Sequence, residues 1–335
     1  MAALERGELA LLRQIRARAA QNPLGRGIKL GIGDDCALIS LRPGEELAVT
    51  TDLSIAGRHF RLDWHTPEAI GHRTLARGLS DLAAMGARPV AAFLSLGLPR
   101  ELARRGAWMD RFLDAFFALA EAHKLPLAGG DLAESHVAVA DIVLMGAVAR
   151  GKALLRSGAR AGDLLYVTGK LGGAVAGLGE LEKLAGGAKR KSVGGLRIPK
   201  RLETALAAHL YPLPRIAQGL WLAQRGVASA ALDISDGLST DLAHLCEESG
   251  VCAEVNADSL PVHAGATLAQ ALHGGEDYEL LFAARPDARV PQAIAGVPVT
   301  RIGTVMRRRA GRPMVTLMTA RGAEPLEARG WEHFA

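Results

Sequence analysis

The stretch from Leu30 to Phe60 constrains the fold more than any other part of this chain. It reads LGIGDDCALIS, then a turn carrying Pro43 and Gly44, then ELAVTTDLSIAGRHF. Apolar, β-prone runs here meet Asp and Gly, residues depleted in strand interiors. A carboxylate at a strand end faces solvent or a ligand instead of the core. The stretch therefore calls for a sheet whose strand ends carry acidic sites, first Asp34-Asp35 and then Thr50-Thr51-Asp52. Carboxylate and Thr oxygens are hard ligands, suited to Mg²⁺ rather than Zn²⁺. Read alone, the same residues are ordinary turn formers and caps.

Three further acidic motifs repeat the pattern: Ser80-Asp81, Gly129-Gly130-Asp131 and Asp233-Ile234-Ser235-Asp236. Each also has a local explanation. Asp81 follows Arg77 by four residues, the spacing of a helical ion pair. Gly130-Asp131 reads as a plain turn. Ser235 and Asp236 precede a helical pattern that starts at Leu238, where such residues serve as caps. Taken together, acidic residues follow apolar strands at points where a turn begins. That pattern suits several Mg²⁺ ions held between protein carboxylates and phosphate oxygens, because Mg²⁺ keeps waters and shares its ligands with substrate phosphates.

The chain has 335 residues, more than one average core, so two domains are expected. It is 49% hydrophobic and only 4% aromatic, an α/β composition. The apolar run Val137 to Ala149 is interrupted by Asp141 and too short to span a bilayer. The start, MAALERGELALLRQIRARAA, is charged throughout and lacks the features of a signal peptide. Three cysteines (Cys36, Cys246, Cys252) form no CxxC pair, which points to a reducing cytoplasm without disulfides or a zinc site. The net charge of +5 is scattered apart from Lys189-Arg190-Lys191 and Arg307-Arg308-Arg309, and no aromatic platform accompanies it. Nucleic-acid binding is disfavoured on that ground.

Periodicity predicts an N-terminal helix, two strands within 28–53, a helix from Pro67 to about Met85, and a strand from Val90 to Leu98. A helix is expected over Glu101–Lys124, a strand over 125–131 that breaks at the Gly-Gly turn, and a strand over Val137–Ala149. RGKALLRSGARAGD is polar and non-periodic, so the boundary is set near Arg150, giving domains 1–150 and 151–335. The second domain reads as strand, Gly-rich turn and helix, a basic loop over 186–200, a helix from Leu213 to Gly226, the strand–turn–helix of SAALDISDGLSTDLAHLCEESG, and strands after GGED, at 301–305 and at 313–317. The fold class is α/β with two mixed domains.

The chain has no GxxxxGK[ST], no GxGxxG after a strand, no HExxH and no GxSxG. A nucleotide enzyme of this sequence needs another phosphate cradle. In order along the chain, LGIGDDCALI, TTDLSIAGRHF, LSDLAAMGARP, AGGD, LDISDGLSTDL and HGGEDYEL resemble the thiamine-monophosphate kinase family, within the superfamily of aminoimidazole ribonucleotide synthetase. The resemblance runs from about Glu8 to the terminal GWEHFA. It implies direct, ATP-dependent transfer of a γ-phosphoryl group to thiamine monophosphate, with no phosphoenzyme. It implies that Asp35, Thr50, Thr51, Asp52, Asp81, Asp131, Asp233 and Asp236 bind Mg²⁺. It implies that Gly130, Asp131, Arg156 and Ser235 contact ATP, and that His59, Glu276 and Trp331 contact the thiamine phosphate. The implied fold is an N-terminal α/β domain that dimerises through its strands, then a second α/β domain, with the active site between them. The implied partners are ATP, thiamine monophosphate and a second copy of the chain, with no nucleic acid and no membrane.

Some features fall outside the resemblance. The loop 186–200 matches none of the motifs, and Tyr211 and Leu213 stand where relatives can carry Arg and Ser. KLGGAVAGL resembles a phosphate cradle but also suits close strand–helix packing. A selenophosphate synthetase would carry a reactive Cys or selenocysteine and a Lys near its start, and the first twenty residues contain neither. A sister aminoimidazole ribonucleotide synthetase is disfavoured by AGRHF and GWEHF. A non-catalytic regulator would have lost metal carboxylates. A metal-dependent phosphohydrolase would release phosphate from ATP without an acceptor.

Overall fold

In the computed structural model, residues 8–21, 27–32, 35–187 and 193–331 are described. Asp34, the basic triplet 189–191 and the last four residues of GWEHFA lie outside the described residues. The chain divides into two units. One comprises Met1–Leu79, Arg88–Ala147 and Leu181–Lys200; the other comprises Ser80–Ala87, Val148–Glu180 and Arg201–Ala335. Among the described residues, no helix is long and apolar enough to cross a membrane.

The elements of the first half of the chain are α1 (Glu8–Ala19), β1 (Ile28–Leu30), β2 (Leu38–Ile39), β3 (Glu45–Ile55), α2 (Pro67–Ala84), β4 (Arg88–Leu98), α3 (Arg100–Ala103), α4 (Gly106–Ala122), β5 (Leu127–Glu134) and β6 (Val139–Ala149). The main sheet of the first unit runs β3-β6-β4-β5, with β4 antiparallel to β6 and parallel to β5. Alternation dictates its two faces. Leu94, Leu96 and Leu98 of β4 and Ala140, Ile142 and Leu144 of β6 are buried, while the residues between them are partly exposed. Helix α2 covers the buried face. Pro67 opens it, as proline does at a first helical position, and its apolar positions Ile70, Leu75, Leu79 and Leu82 are at most 2% exposed. Gly78 lets it lie against Leu144, where a Cβ would stand 2.9 Å from a side-chain methyl.

The second half continues with β7 (Leu164–Thr168), α5 (Gly173–Gly186), α6 (Glu203–Leu210), α7 (Ile216–Arg225), β8 (Ala228–Ile234), α8 (Leu238–Ser249), β9 (Val251–Asn256), α9 (Leu268–His273), β10 (Glu279–Ala284), β11 (Ala293–Ile294), β12 (Val297–Arg307), β13 (Val315–Thr319) and β14 (Gly322–Pro325). Its sheet follows the order β14-β13-β9-β12-β7-β10-β8, with β13 parallel to β9 and the other pairs along this path antiparallel. The core beneath it joins Leu165 and Val167 of β7 to Leu232 and Ile234 of β8, Leu238, Leu242 and Leu245 of α8, and Ile302 and Val305 of β12.

Several expectations are corrected. Residues 28–55 hold three strands rather than two. The helix expected over 101–124 is broken at Arg104-Arg105, before a helix-opening Gly106. The strand expected to break at Gly129-Gly130 runs through both glycines to Glu134. Gly130 has φ +152°, and a Cβ there would stand 1.8 Å from the Leu94 carbonyl oxygen of the neighbouring strand. The glycines serve close backbone approach beside a register shift, not a turn. Helix α6 and strand β9 were not expected.

Candidate active site

In the first unit, the two-residue period of β3 sorts the TTD motif. Thr50, Asp52 and the buried Ser54 share one face, and Thr51 lies on the other with the exposed Leu47, Val49 and Leu53. Arg77 on α2 reaches the first face. Its guanidinium lies 3.1 Å from Asp52 Oδ1 and donates to Ser54 Oγ at 3.1 Å. Arg77, read in the sequence as a helical partner for Asp81, also pairs with Asp52 on β3. His59 closes the turn after β3. Its Nδ1 accepts the Ile55 N–H at 3.1 Å, which leaves the proton of the neutral ring on Nε2. His59, Ser54, Thr74, Arg77 and the buried Arg73 line one small crevice. Nearby His65 is pushed down to about 3 by burial and by the Arg73 charge.

A groove of about 1080 Å³ opens on the other part of the first unit. It is lined by Asp35, Cys36, Leu47, Phe93, Gly129, Gly130, Asp131 and Met145, with Leu12, Ile15 and Arg16 of α1. The structure thus brings Asp35, Gly130 and Asp131 to one apolar-walled cleft. Asp131 is exposed, and its Oδ1 accepts the N–H of Leu132 at 2.9 Å.

In the second unit, two segments converge on the end of β8 and the turn after it. Glu276 N–H donates to the Ser235 carbonyl at 2.7 Å, Tyr278 N–H to the Ile234 carbonyl at 2.9 Å, and Trp331 N–H to the Asp236 carbonyl at 3.0 Å. Gly330 N–H donates to Thr240 Oγ1 at 2.9 Å, fastening the C-terminal segment to α8. Glu276 and Tyr278 adopt φ values of +68° and +51°. Such left-handed conformations cost about 1–3 kcal/mol each and persist only where surrounding contacts over-determine them. Glu276 Oε2 lies 3.7 Å from His209 Nδ1. Trp331 is 52% exposed, leaving its ring accessible. Asp233 is buried and accepts the Ser80 hydroxyl at 2.6 Å, which ties the LSD motif containing Asp81 to the LDISD motif.

The sequence reading missed four residues of this region. Asp241, on the first turn of α8, accepts the N–H groups of Asp236 at 3.1 Å and Gly237 at 3.0 Å. Burial, then the charges of Asp233 and Asp236, push its carboxyl up to about 8. Asp277 accepts the N–H groups of Gly172 at 2.6 Å and Ala174 at 3.0 Å, so the glycine turn that resembles a phosphate cradle is filled by an internal carboxylate. Glu279 accepts a two-pronged bond from Arg215, at 2.6 and 2.5 Å, and the Thr168 hydroxyl at 2.7 Å. The spacing DGLSTD marks Asp241 as a capping acid, but nothing local marks Asp277, Glu279 or Arg215.

The backbone at Arg156 lies beside the middle of β8 and the far end of α8. The preceding Leu155 carbonyl accepts the Ala231 N–H in mid-strand, and the Arg156 carbonyl accepts the hydroxyl of Ser249 at the far end of α8. Four strand residues from Ala231 to Ser235 span about 13 Å.

Among the described residues, no group of three His, Cys, Asp or Glu side chains forms a ready cage for a metal. The donor set is nevertheless one of hard oxygens. Burial first, and then the charges of Asp233 and Asp236, hold Asp241 well above the usual carboxylate range. Mg²⁺ characteristically takes one or two carboxylates and completes its shell with water and phosphate. The residues present fit that mode of binding.

Residues 33–151 match the family described as AIR synthase related protein, N-terminal domain, and residues 160–316 match its C-terminal domain. The fold is that of an AIR synthase related protein. The thiamine-monophosphate kinase of Salmonella typhimurium is 37% identical over 345 residues, covering 98% of each chain. The solved thiamine-monophosphate kinase of Stenotrophomonas maltophilia is 38% identical with a TM-score of 0.77, covering 93% of this chain and 96% of that one. A solved AaThiL complex with AMPPCP and TMP is 29% identical with a TM-score of 0.75, covering 100% and 99%. This chain belongs to the thiamine-monophosphate kinase family.

Proposed function

We propose that the chain transfers the γ-phosphoryl group of ATP to thiamine monophosphate, giving ADP and thiamine diphosphate. The observation that carries this reading, in a chain of this family, is the convergence of Ser235, Asp236, Glu276 and Trp331 on one turn. An oxygen of the acceptor phosphate attacks the γ-phosphorus. The bond to the β–γ bridging oxygen breaks, and its electrons leave with ADP. A phosphate monoester, with a second pKa of about 6, is already largely ionised near neutral pH. No general base is required, and none is assigned. The protein's task is alignment and charge neutralisation.

In this reading Asp35, Thr50, Thr51, Asp52 and Asp131, and Asp81, Asp233 and Asp236, hold Mg²⁺. Bound Mg²⁺ supplies neutralisation of the phosphate oxygens. Gly130, Asp131, Ser235 and the planar fork of Arg156 are the ATP contacts in this reading. Asp241 fixes the Asp236 turn through two backbone amides. His59 offers Nε2–H to the thiamine phosphate, Glu276 offers a counter-charge to the thiazolium, and the exposed Trp331 ring offers it an aromatic face. A homodimer formed through the first unit is supported by β3, an edge strand whose Leu47, Val49 and Leu53 are 46%, 53% and 47% exposed. A charge placed at Val49 is expected to give a monomer by light scattering. A cytoplasmic setting follows from the cysteine usage.

The reaction is tested with ATP radiolabelled in the γ-phosphate. The expected result is label in thiamine diphosphate and none retained on the protein. Label appearing only in inorganic phosphate would replace this reading with a phosphohydrolase.

A further inference from the structure

Asp277 sits between two residues with left-handed backbones, Glu276 and Tyr278. Its carboxylate leaves the Ser235 turn and accepts the N–H groups of Gly172 and Ala174 at the start of α5. Glu276 turns to different partners. Its N–H donates to Ser235, and its carboxylate lies 3.7 Å from His209 on α6. Neighbouring side chains thus go to separate helices, which requires the chain to bend sharply between them. Neither Glu nor Tyr favours such a bend on its own. Backbone bonds to Ser235 and Ile234 hold its two ends, and the amide clamp of Asp277 is the side-chain contact that holds its centre.

We propose that Asp277 is a positioning residue for Glu276, setting the direction of the Glu276 carboxylate and through it the grip on thiamine monophosphate. The inference rests on the reading that Glu276 contacts that substrate. A cap acting only on α5 would stabilise the helix without distinguishing one substrate from the other. A clamp acting through Glu276 loosens the thiamine substrate and spares ATP.

The test is steady-state kinetics on wild type, Asp277→Asn, Glu276→Gln and the double variant. Asn keeps the shape and one acceptor but turns an NH₂ group toward a backbone donor. Losing one hydrogen bond to a charged group predicts that Asp277→Asn raises KM for thiamine monophosphate about tenfold. KM for Mg·ATP is expected to stay at its wild-type value. The double variant is expected to be no worse than Glu276→Gln, because coupled residues give non-additive effects. Equal rises in both KM values, or effects that multiply in the double variant, would overturn the proposal, as would a wild-type KM in Glu276→Gln. Should Asp277→Asn not fold by circular dichroism, Asp277→Ser, which keeps one acceptor oxygen, carries the same cycle. A wild-type protein that makes no thiamine diphosphate would refute the functional reading instead, separately from the clamp.

Discussion

The two units display their carboxylates in opposite ways. In the first, Asp52 and Thr50 stand on one face of an edge strand, and Asp35 and Asp131 line an open groove. Asp52 pairs with Arg77 of α2, at 20% and 16% exposure. In the second unit, the carboxylates are set by backbone amides and by burial. Asp241 holds the Asp236 turn, Asp277 holds the start of α5, and Glu279 is locked to Arg215 and Thr168. The difference teaches where function and stability separate. A strand displays donors that can change without disturbing the core, whereas an amide-clamped carboxylate carries part of the fold.

The sharpest way to break this contrast is to remove one member of the Glu279–Arg215 pair. Both side chains are at most 16% exposed, and stranding one member of a buried pair costs about 3–5 kcal/mol. Glu279→Gln is expected to lower the free energy of unfolding by that amount, read from denaturant titration, and to lose activity with it. Asp52→Asn is the counterpart in the first unit. It is expected to lower kcat/KM roughly a hundredfold, about 2.7 kcal/mol, while the melting temperature moves less than in Glu279→Gln, because Asp52 is 20% exposed and Glu279 only 5%. An Asp52→Asn enzyme with normal turnover would remove Asp52 from the metal set.

A pH titration sharpens the contrast further. Burial, with the Glu279 charge, pushes Asp277 up to about 7, against an unfolded value of about 3.9. Its native state therefore retains a proton that the unfolded chain has lost. This contribution is fully favourable below about pH 4 and declines as pH rises through about 7. Melting temperatures measured across that window are expected to fall with pH in the wild type and to fall less in Asp277→Asn. The smallest effect is expected at Arg77. If Asp52 holds Mg²⁺ as proposed, removing the cation beside it strengthens cation binding by Coulomb's law, so Arg77→Met is expected to lower the Mg²⁺ concentration for half-maximal activity a few-fold.

Much of this was legible before the structure. Helix α2, the strand–turn–helix at β8 and α8, and the acidic motifs themselves follow from local periodicity and turn chemistry. The separation of Thr51 from Thr50 and Asp52 also follows from strand alternation once β3 is known to be continuous. Gly129-Gly130 misled because the same residues serve turns and close backbone approach, and only the neighbouring Leu94 carbonyl decides between them. Asp277 was illegible for another reason. Its partners lie 105 and 103 residues away, at Gly172 and Ala174. No local pattern records which carboxylate fills a distant amide cradle.

The most direct measurement is ADP release from Mg·ATP, with and without thiamine monophosphate, alongside direct detection of thiamine diphosphate. The account predicts ADP release that depends on the acceptor and matches thiamine diphosphate mole for mole. ADP released equally in the absence of acceptor, with no thiamine diphosphate formed, would contradict it.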